Sequence, residues 1–316
     1  MSGSTSEVST PAGETAPASG VDLVGAFMCL LAAIAWGTTG TAATFAPDVP
    51  AVAIGAAAMG FGGLLQASRA LSGIRVGRDA LWRHRGLLLN GALAVAIYPL
   101  AFYASMRLAG VTIGTVISLG SAPLLSALIE NRLEGARLTL RWASGAAIGV
   151  SGIILFSLGE GAHAGAASGD NVVLGTVLGL VAGGTYALYS WTTRRMMQSG
   201  LASRVAMGAT FGIGGLLLMP VLFATGAPFL ASAGNLAVGA YMALVPMFLG
   251  YIAFGQGLSR VSASLATTIT LFEPVVAALL AVLIVGERLP ISGWTGVALI
   301  VACLIWTTAP LPKRRG

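Results

Sequence analysis

The sequence predicts an all-α integral membrane protein of ten transmembrane helices, arranged as two inverted five-helix repeats around a central cavity. Three observations support this fold class: a very apolar composition, ten apolar runs of membrane-spanning length, and an internal repeat. Hydrophobic residues make up 56% of the 316 residues and charged residues only 9%. A soluble domain carries about 25% charged residues, which cover its water-facing surface. We therefore expect lipid to cover most of this protein.

Ten apolar runs follow one another along the chain. Each is close to the ~20 residues that a helix needs to cross ~30 Å of hydrocarbon. Only helices and closed barrels satisfy the backbone in lipid, and these runs are too long and too uniformly apolar for barrel strands. We predict helices at approximately 22–45, 51–68, 86–106, 111–129, 142–158, 172–192, 205–224, 235–254, 263–285 and 291–309.

Polar stretches divide the chain into four segments. Residues 1–21 are mostly small or polar and lack the Lys or Arg that starts a signal peptide, so we expect a disordered cytoplasmic tail. Residues 22–158 and 172–309 hold five runs each and form the predicted first and second repeats. Residues 310–316 form a basic cytoplasmic tail.

The positive charges indicate the orientation of the bundle. If the N-terminus is cytoplasmic and the spans alternate, 15 of the 17 Lys and Arg residues fall in cytoplasmic loops or the C-terminal tail. Only Arg107 and Arg288 fall on the opposite side. Cytoplasmic loops of membrane proteins carry an excess of Lys and Arg, and so both termini are predicted to be cytoplasmic.

A shift of 151 residues superposes the two halves of the chain. The segment from Pro123 to Leu128 falls on that from Pro274 to Leu279, and Gly135-Ala-Arg-Leu falls on Gly286-Glu-Arg-Leu. Because each half has an odd number of spans, the second copy must enter the membrane from the opposite side. Inverted repeats of this kind build many secondary transporters. A shared bias toward Ala and Leu is the alternative explanation of the match.

Glu273 is the acidic residue that lies in the middle of a predicted span. A carboxylate at the bilayer centre costs about 2.5–3.5 kcal/mol on insertion scales, so it should face a cavity or a partner. Hydroxyl residues precede the nearby prolines: Ser118 and Ser121 come before Pro123, and Thr270 comes before Pro274. The pattern favours a polar site at an interrupted helix. The alternative is that Glu273 only bonds a neighbouring helix.

Aromatic residues with a polar atom form a second group. Buried Tyr and Trp side chains need a hydrogen-bond partner, and so they either line a substrate cavity or pack between helices. The candidate lining residues of this group, with one neighbouring hydroxyl, are Trp36, Thr39, Tyr98, Tyr103, Tyr186, Tyr189 and Tyr251. The prolines predicted as hinges or helix breaks are Pro99, Pro123, Pro246 and Pro274.

Several function classes are excluded by what the chain lacks. Lys313 is the only lysine, and it lies in the tail, so no phosphate-binding loop ending in Gly-Lys-Ser/Thr exists. His84 and His163 lie in predicted loops, which leaves no histidine in a span for a Ser-His hydrolase. Cys29 and Cys303 lie in apolar runs and give no metal spacing. We expect no enzyme activity, no cofactor, no metal and no nucleic acid partner.

Trp36-Gly37, the segment from Leu271 to Pro274, and Gly286-Glu287 resemble the EamA-type branch of the drug/metabolite transporter superfamily. The resemblance covers nearly all of the chain beyond the tail. It implies a central cavity lined by spans 1, 3, 4, 6, 8 and 9, with spans 5 and 10 at the periphery. Members commonly export amino acids and related metabolites. By this resemblance we expect the chain to lie in a bacterial inner membrane. One departure is Ala136, which stands where the other repeat has Glu287.

The leading hypothesis from sequence is a secondary transporter that exports small metabolites, with amino acids as the expected substrates. Its expected partners are a small-molecule substrate and membrane lipid, with protons as a candidate coupling ion. The alternative within the same class is efflux of cationic drugs. A membrane enzyme or scaffold is disfavoured because the spans lack clustered His, Asp or Lys and the loops are short. A channel is disfavoured because no ring of charges is present.

Overall fold

A computed structural model describes residues 21–161, 172–286 and 288–309. The predicted tail 310–316 and almost all of tail 1–21 lie outside these residues, as do His163 and Glu287. The first half of the described chain forms α1 Leu23–Gly37, α2 Thr39–Ala43, α3 Ala51–Val76, α4 Arg78–Arg83, α5 Arg85–Ala109, α6 Val111–Glu134 and α7 Leu140–Gly161. The second half forms α8 Val172–Gln198, α9 Ser203–Thr225, α10 Ala233–Met242, α11 Tyr251–Leu258, α12 Ala263–Ile269, α13 Glu273–Leu280 and α14 Ile291–Thr308.

Short segments of other helical geometry join some of these helices into longer spans. A π-helical segment, Ala243–Gly250, joins α10 to α11, and a 3₁₀ turn, Thr270–Phe272, joins α12 to α13. Among the described residues, nine helical stretches are long and apolar enough to cross a membrane. Within α7 the apolar stretch is shorter, Leu140–Phe156. The chain is thus an all-helical, multi-pass membrane protein.

Two matched glycines end equivalent helices. Gly135 follows α6 with φ 68°, and Gly286 ends the helical stretch that contains α13, with φ 80°. Both are left-handed conformations, which glycine adopts without the penalty of a Cβ and which commonly terminate helices. The glycine match found by the 151-residue shift therefore has the same structural role in both halves.

The start of α1 is fixed by a capping carboxylate. Asp22 Oδ1 accepts a hydrogen bond from the Gly25 N–H at 2.8 Å, and Arg260 lies 3.4 Å from Oδ2. The Gly25 hydrogen bond, assisted by the positive charge of Arg260, holds the pKa of Asp22 below its usual value. The contact ties the beginning of α1 to the loop after α11.

Helices α7 and α14 pack in antiparallel orientation through glycines. Gly145 faces Thr307 and Gly149 faces Cys303, while Gly152 faces Ile300 and Gly296 faces Phe156. Residue numbers rise along one helix as they fall along the other. The 151-residue shift also exchanges these contacts, since it turns the pair 145 and 307 into 296 and 156. The same small-residue packing joins α3 to α9, where the contacts include Gly60, Gly63, Gly208, Gly212 and Gly215.

Prolines have different effects in different spans. Pro99 and Pro123 were predicted as hinges or helix breaks. The structure shows no break at either residue, because α5 and α6 continue as helices through both. A proline removes one backbone hydrogen bond, and packing against neighbouring helices can compensate for that loss. Pro246 lies in the π-helical segment, and the 3₁₀ turn ends just before Glu273 and Pro274.

A candidate substrate cavity among the central helices

A cavity lies between α1, α3, α5, α8 and the second-half helices that follow α9. Its walls are mainly aromatic and methionine side chains, with one carboxylate. The lining residues are Trp36, Thr39, Gly55, Ala58, Met59, Tyr98, Pro99, Phe102, Tyr103, Tyr186, Tyr189, Met242, Met247, Tyr251 and Glu273. Aromatic walls with a few fixed polar groups are typical of small-molecule sites.

Trp36 is held in the cavity wall by the helix opposite it. Its indole N–H donates to the carbonyl oxygen of Pro246 at 2.9 Å. Gly250 leaves room for the ring, because a Cβ there would lie 2.9 Å from the indole nitrogen. Gly37 leaves room in the same way for α13, since a Cβ would lie 2.7 Å from the carbonyl oxygen of Glu273. These small residues set Trp36 and Glu273 on neighbouring walls.

Two hydroxyl pairs fix the tyrosines of α8. Tyr189 and Tyr251 share a hydrogen bond of 2.9 Å between their hydroxyls, and Tyr186 shares one of 2.8 Å with Thr270 Oγ1. The rings of Tyr186 and Tyr189 stack with centroids 5.2 Å apart, and Tyr98 lies 5.6 Å from Tyr186. Paired hydroxyls and ring contacts each restrict side-chain motion. The aromatic wall is therefore ordered before any ligand enters.

Glu273 is the first residue of α13 and contributes the carboxylate of the cavity. It follows the 3₁₀ turn, which directs the start of α13 toward the cavity. Its side chain is half-buried, and no hydrogen bond or ion pair joins its carboxylate to another group in the described part of the chain. A carboxylate without a protein partner can bind a cation or carry a proton.

The cavity is small in this conformation. Its volume is about 60 Å³. Such a volume holds a few water molecules. A substrate as large as an amino acid would require the surrounding helices to move apart.

Most of the residues predicted to line a site come together here. Those that line the cavity are Trp36, Thr39, Tyr98, Tyr103, Tyr186, Tyr189, Tyr251 and Glu273. Thr270 lies behind Tyr186 and bonds its hydroxyl. Of the four predicted hinges, Pro99 lines the cavity and Pro246 accepts the Trp36 hydrogen bond.

Ser118 and Ser121 are elsewhere. Both lie where α6 packs on α8, close to Gly183, and their hydroxyls are buried without a hydrogen-bond partner among the described residues. They are absent from the cavity lining, as are Pro123 and Pro274. The lining also differs from the set of spans that the family resemblance implies. Helix α3, the predicted second span, contributes Gly55, Ala58 and Met59, whereas α6, the predicted fourth span, contributes no lining residue.

Sequence reasoning missed the apolar part of the lining and one buried acid. Phe102 and three methionines carry no polar atom that would distinguish them from core residues. Gly55 leaves space for the ring of Tyr103. Glu130, only 4% exposed, lies just beyond the predicted fourth span. Glu130 lies seven residues after Pro123 and four after Ser126, on the same face of the helix. That spacing was the signal that could have identified it as a buried polar residue.

Comparison with known proteins agrees with this architecture. The model of the EamA-like transporter family matches twice, at residues 23–158 and 173–309. A transporter of Bacillus subtilis (strain 168), described as the uncharacterized transporter YwfM, is 30% identical over 90% of this chain and 94% of its own. A probable terminal-alkyne amino-acid exporter of Streptantibioticus cattleyicolor is 26% identical over 89% of this chain and 95% of its own.

A solved crystal structure has the same fold. It superposes with a TM-score of 0.73 at 19% identity and covers 90% of this chain and 96% of its own. The double match of the family model, which spans both halves, shows two copies of one helical unit. This chain is a transporter that belongs to the EamA-like family of the drug/metabolite transporter superfamily.

Proposed function

We propose that the protein is a secondary transporter that exports neutral and aromatic amino acids, or closely related metabolites, by alternating access. The observation that carries the proposal is the cavity, in which the Glu273 carboxylate has no partner among the described residues and lies beside a wall of tyrosines and Trp36. The carboxylate would receive the substrate ammonium group, while the rings would stack on an apolar or aromatic side chain.

The amino-acid class has support from one relative. The protein of Streptantibioticus cattleyicolor is described as a probable exporter of a terminal-alkyne amino acid, and it aligns with nearly the whole chain. A terminal alkyne is an apolar side chain. The aromatic and methionine lining of the cavity here suits such a side chain better than a charged one.

The proposed architecture is ten spans in two inverted repeats, at 22–158 and 172–309. In it α7, the fifth span along the chain, crosses the membrane in addition to the nine long apolar stretches of the described residues. Antiparallel packing of α7 on α14 supports inversion, because these are the fifth helices of the two halves. The exchange of their contacts by the 151-residue shift supports a two-fold relation between the halves. Two end states related by such an axis would open the cavity to each side in turn.

We place the protein in the inner membrane with both termini in the cytoplasm. Support comes from the 15 Lys and Arg residues that this orientation assigns to the cytoplasmic side. Among them, Arg194, Arg204 and Arg260 lie at or next to helix ends on one face of the bundle.

A second candidate function is export of cationic compounds. Among the described residues the lining contains a carboxylate and no Lys, Arg or His, so an organic cation would be bound without repulsion. An amino-acid carboxylate, by contrast, would need hydroxyl donors such as those of Tyr98 and Tyr103, because the Trp36 indole N–H is already bonded to the Pro246 carbonyl.

Radiolabel counterflow in proteoliposomes tests both functions. The panel contains aromatic and aliphatic amino acids, their deaminated analogues, and cationic drugs. We expect exchange of neutral amino acids and little exchange of the deaminated analogues. Exchange of cationic drugs alone would favour the second function, and a flat response to every compound would contradict both. Repeating the assay with and without a pH gradient determines whether protons are coupled to transport.

A further inference from the structure

Two stripes of polar residues face each other between the cavity and one end of the bundle. On α6 the stripe is Ser126, Glu130 and Glu134, at four-residue spacing, which places them on one helix face. On the ninth span the stripe begins at Ala263 and Ser264 and continues through Thr267 and Thr270. The end of the bundle at which Glu130 contacts Ala263 is called the Glu130 end below.

The hydrogen bonds that these residues make, with each other and with α8, form successive layers. Next to the cavity, Thr270 bonds Tyr186 at 2.8 Å. One turn further, the Thr267 and Ser126 hydroxyls lie 3.3 Å apart. From Thr270 to Ala263 the layers extend over seven residues, roughly 10 Å of helix. Ser126, Thr267 and Thr270 are all buried, so these layers separate the cavity from the Glu130 end.

Glu130 makes the strongest of these layers. Its carboxylate accepts hydrogen bonds from the Ala263 N–H at 2.6 Å, the Ser264 N–H at 3.3 Å and the Ser264 hydroxyl at 2.5 Å. The residue is only 4% exposed. A buried carboxylate is stable when several donors surround it, and hydrogen bonds to charged groups are stronger than neutral ones.

The outermost layer adds α8 to the same assembly. Glu134 Oε1 accepts a hydrogen bond from the Trp191 indole N–H at 2.8 Å, and Arg194 lies 4.0 Å from Glu134 Oε2. Arg194 also donates to the carbonyl oxygen of Val261 at 2.7 Å. Polar contacts therefore join α6, α8 and the start of α12 at this end.

The other end of the bundle has no equivalent stripes. The 151-residue shift places Ser126, Glu130 and Glu134 on Ala277, Ala281 and Val285. It places Thr267 and Thr270 on Val116 and Leu119. The helix start equivalent to that of α12 is α6, whose cap residue Gly110 has no side-chain hydrogen bond. The two halves thus match in sequence along these helices, but their equivalent ends differ in polarity.

We propose that these stripes, with Trp191 and Arg194, are the gate of the transporter at the Glu130 end, and that Glu130 holds this gate closed in the resting state. The inference rests on the proposed function, because it assigns a regulatory element to the same cavity. Polar stripes suit a gate that opens often: when they part, water replaces each hydrogen bond. Apolar stripes would instead expose hydrocarbon surface to water.

Cysteine accessibility tests the gate without any substrate. The reporter is Ser126→Cys in a background in which Cys29 and Cys303 are alanine, labelled with a membrane-impermeant maleimide from each side separately. With Glu130→Gln added, we expect labelling from the Glu130 end to rise about tenfold, because charged hydrogen bonds to two backbone N–H groups are lost. Ser264→Ala removes one donor and should give a smaller rise. Asp79→Asn, an exposed carboxylate on α4, is the matched control and should have no effect.

The result that overturns the proposal is equal labelling of the reporter in the Glu130→Gln, Asp79→Asn and parent proteins, with all three folded by size-exclusion chromatography. If Glu130→Gln does not fold, the same comparison with Ser264→Ala decides. These measurements remain valid even if no compound in the counterflow panel is transported.

A disulfide staple tests the gate through transport. Ser126→Cys with Thr267→Cys places two thiols where the hydroxyls lie 3.3 Å apart, and a disulfide would join α6 to α12. We expect the oxidised protein to lose counterflow and the reduced protein to regain it. Equal counterflow before and after verified oxidation would contradict the gate while leaving the proposed transport function intact.

Discussion

Replacement of Glu273 by glutamine tests the central feature of the proposed binding site. The change keeps the shape of the side chain and removes its charge. No group among the described residues pairs with the Glu273 carboxylate, and therefore Glu273→Gln breaks no internal hydrogen bond and should leave the fold intact. Any loss of transport then reports on substrate or proton binding.

The size of the effect follows from the environment of the carboxylate. An ammonium group at about 4 Å, with an effective dielectric constant of about 20, would be attracted by about 4 kcal/mol before desolvation. A hydrogen bond to a charged group contributes about 1.5–3 kcal/mol net. Because about 1.4 kcal/mol corresponds to a tenfold change, the apparent affinity for an amino acid should fall about 10- to 150-fold.

Counterflow at several substrate concentrations and pH values measures this loss. Affinity for the amino acid should fall while the weak binding of its deaminated analogue stays the same, and pH dependence that arises from Glu273 should disappear. Asp79→Asn provides the control, because its carboxylate is 81% exposed and far outside the cavity lining. Unchanged affinity and an unchanged pH profile for Glu273→Gln would refute the assigned role.

Three further variants test the hydrogen bonding, the helix packing and the limits of the site. Tyr189→Phe should lower the free energy of unfolding by about 1–3 kcal/mol, because the buried Tyr251 hydroxyl loses its 2.9 Å partner; an unchanged melting temperature in detergent would contradict this. Gly296→Ala should destabilise by about 1–3 kcal/mol, since its Cβ would lie 2.6 Å from the Gly152 carbonyl oxygen. Gly86→Ala, which meets no atom within 4 Å, is the matched control and should be neutral or slightly stabilising, so equal shifts for both would refute the packing argument. Ser118→Ala should leave counterflow unchanged, because its hydroxyl is buried outside the cavity without a partner among the described residues; a loss of transport would return this serine to the site.

The helical class was predictable because it depends on local properties of the chain. Runs of about 20 apolar residues determine where lipid-embedded helices lie, and the predicted run at 172–192 corresponds to α8, Val172–Gln198. Boundaries shifted where helices extend beyond the hydrocarbon, as at the end of α3, which continues to Val76. The fifth helix does the same: α7, Leu140–Gly161, extends past both ends of the predicted run at 142–158, although its apolar stretch is only Leu140–Phe156.

The site was predictable only in part. Whether a side chain points into the cavity or toward another helix depends on how its own helix is rotated about its axis. Tyrosines and Glu273 were identified by residue type, since polar atoms in a span need a partner or a cavity. The same reasoning selected Ser118, which instead packs against α8. Ser126, two turns further along the same helix, bonds Thr267.

By itself, the sequence determined that the chain is an all-helical membrane protein with a repeated unit and an acid in the middle of a span. Composition, run length and the 151-residue match contain that information, since each can be read without knowing any long-range contact. Tertiary structure alone decided that the tyrosines surround Glu273 and that Glu130 bonds the start of α12. The contact between Glu130 and Ala263 joins residues 133 positions apart, and close packing between helices, rather than local hydropathy, selects which faces meet.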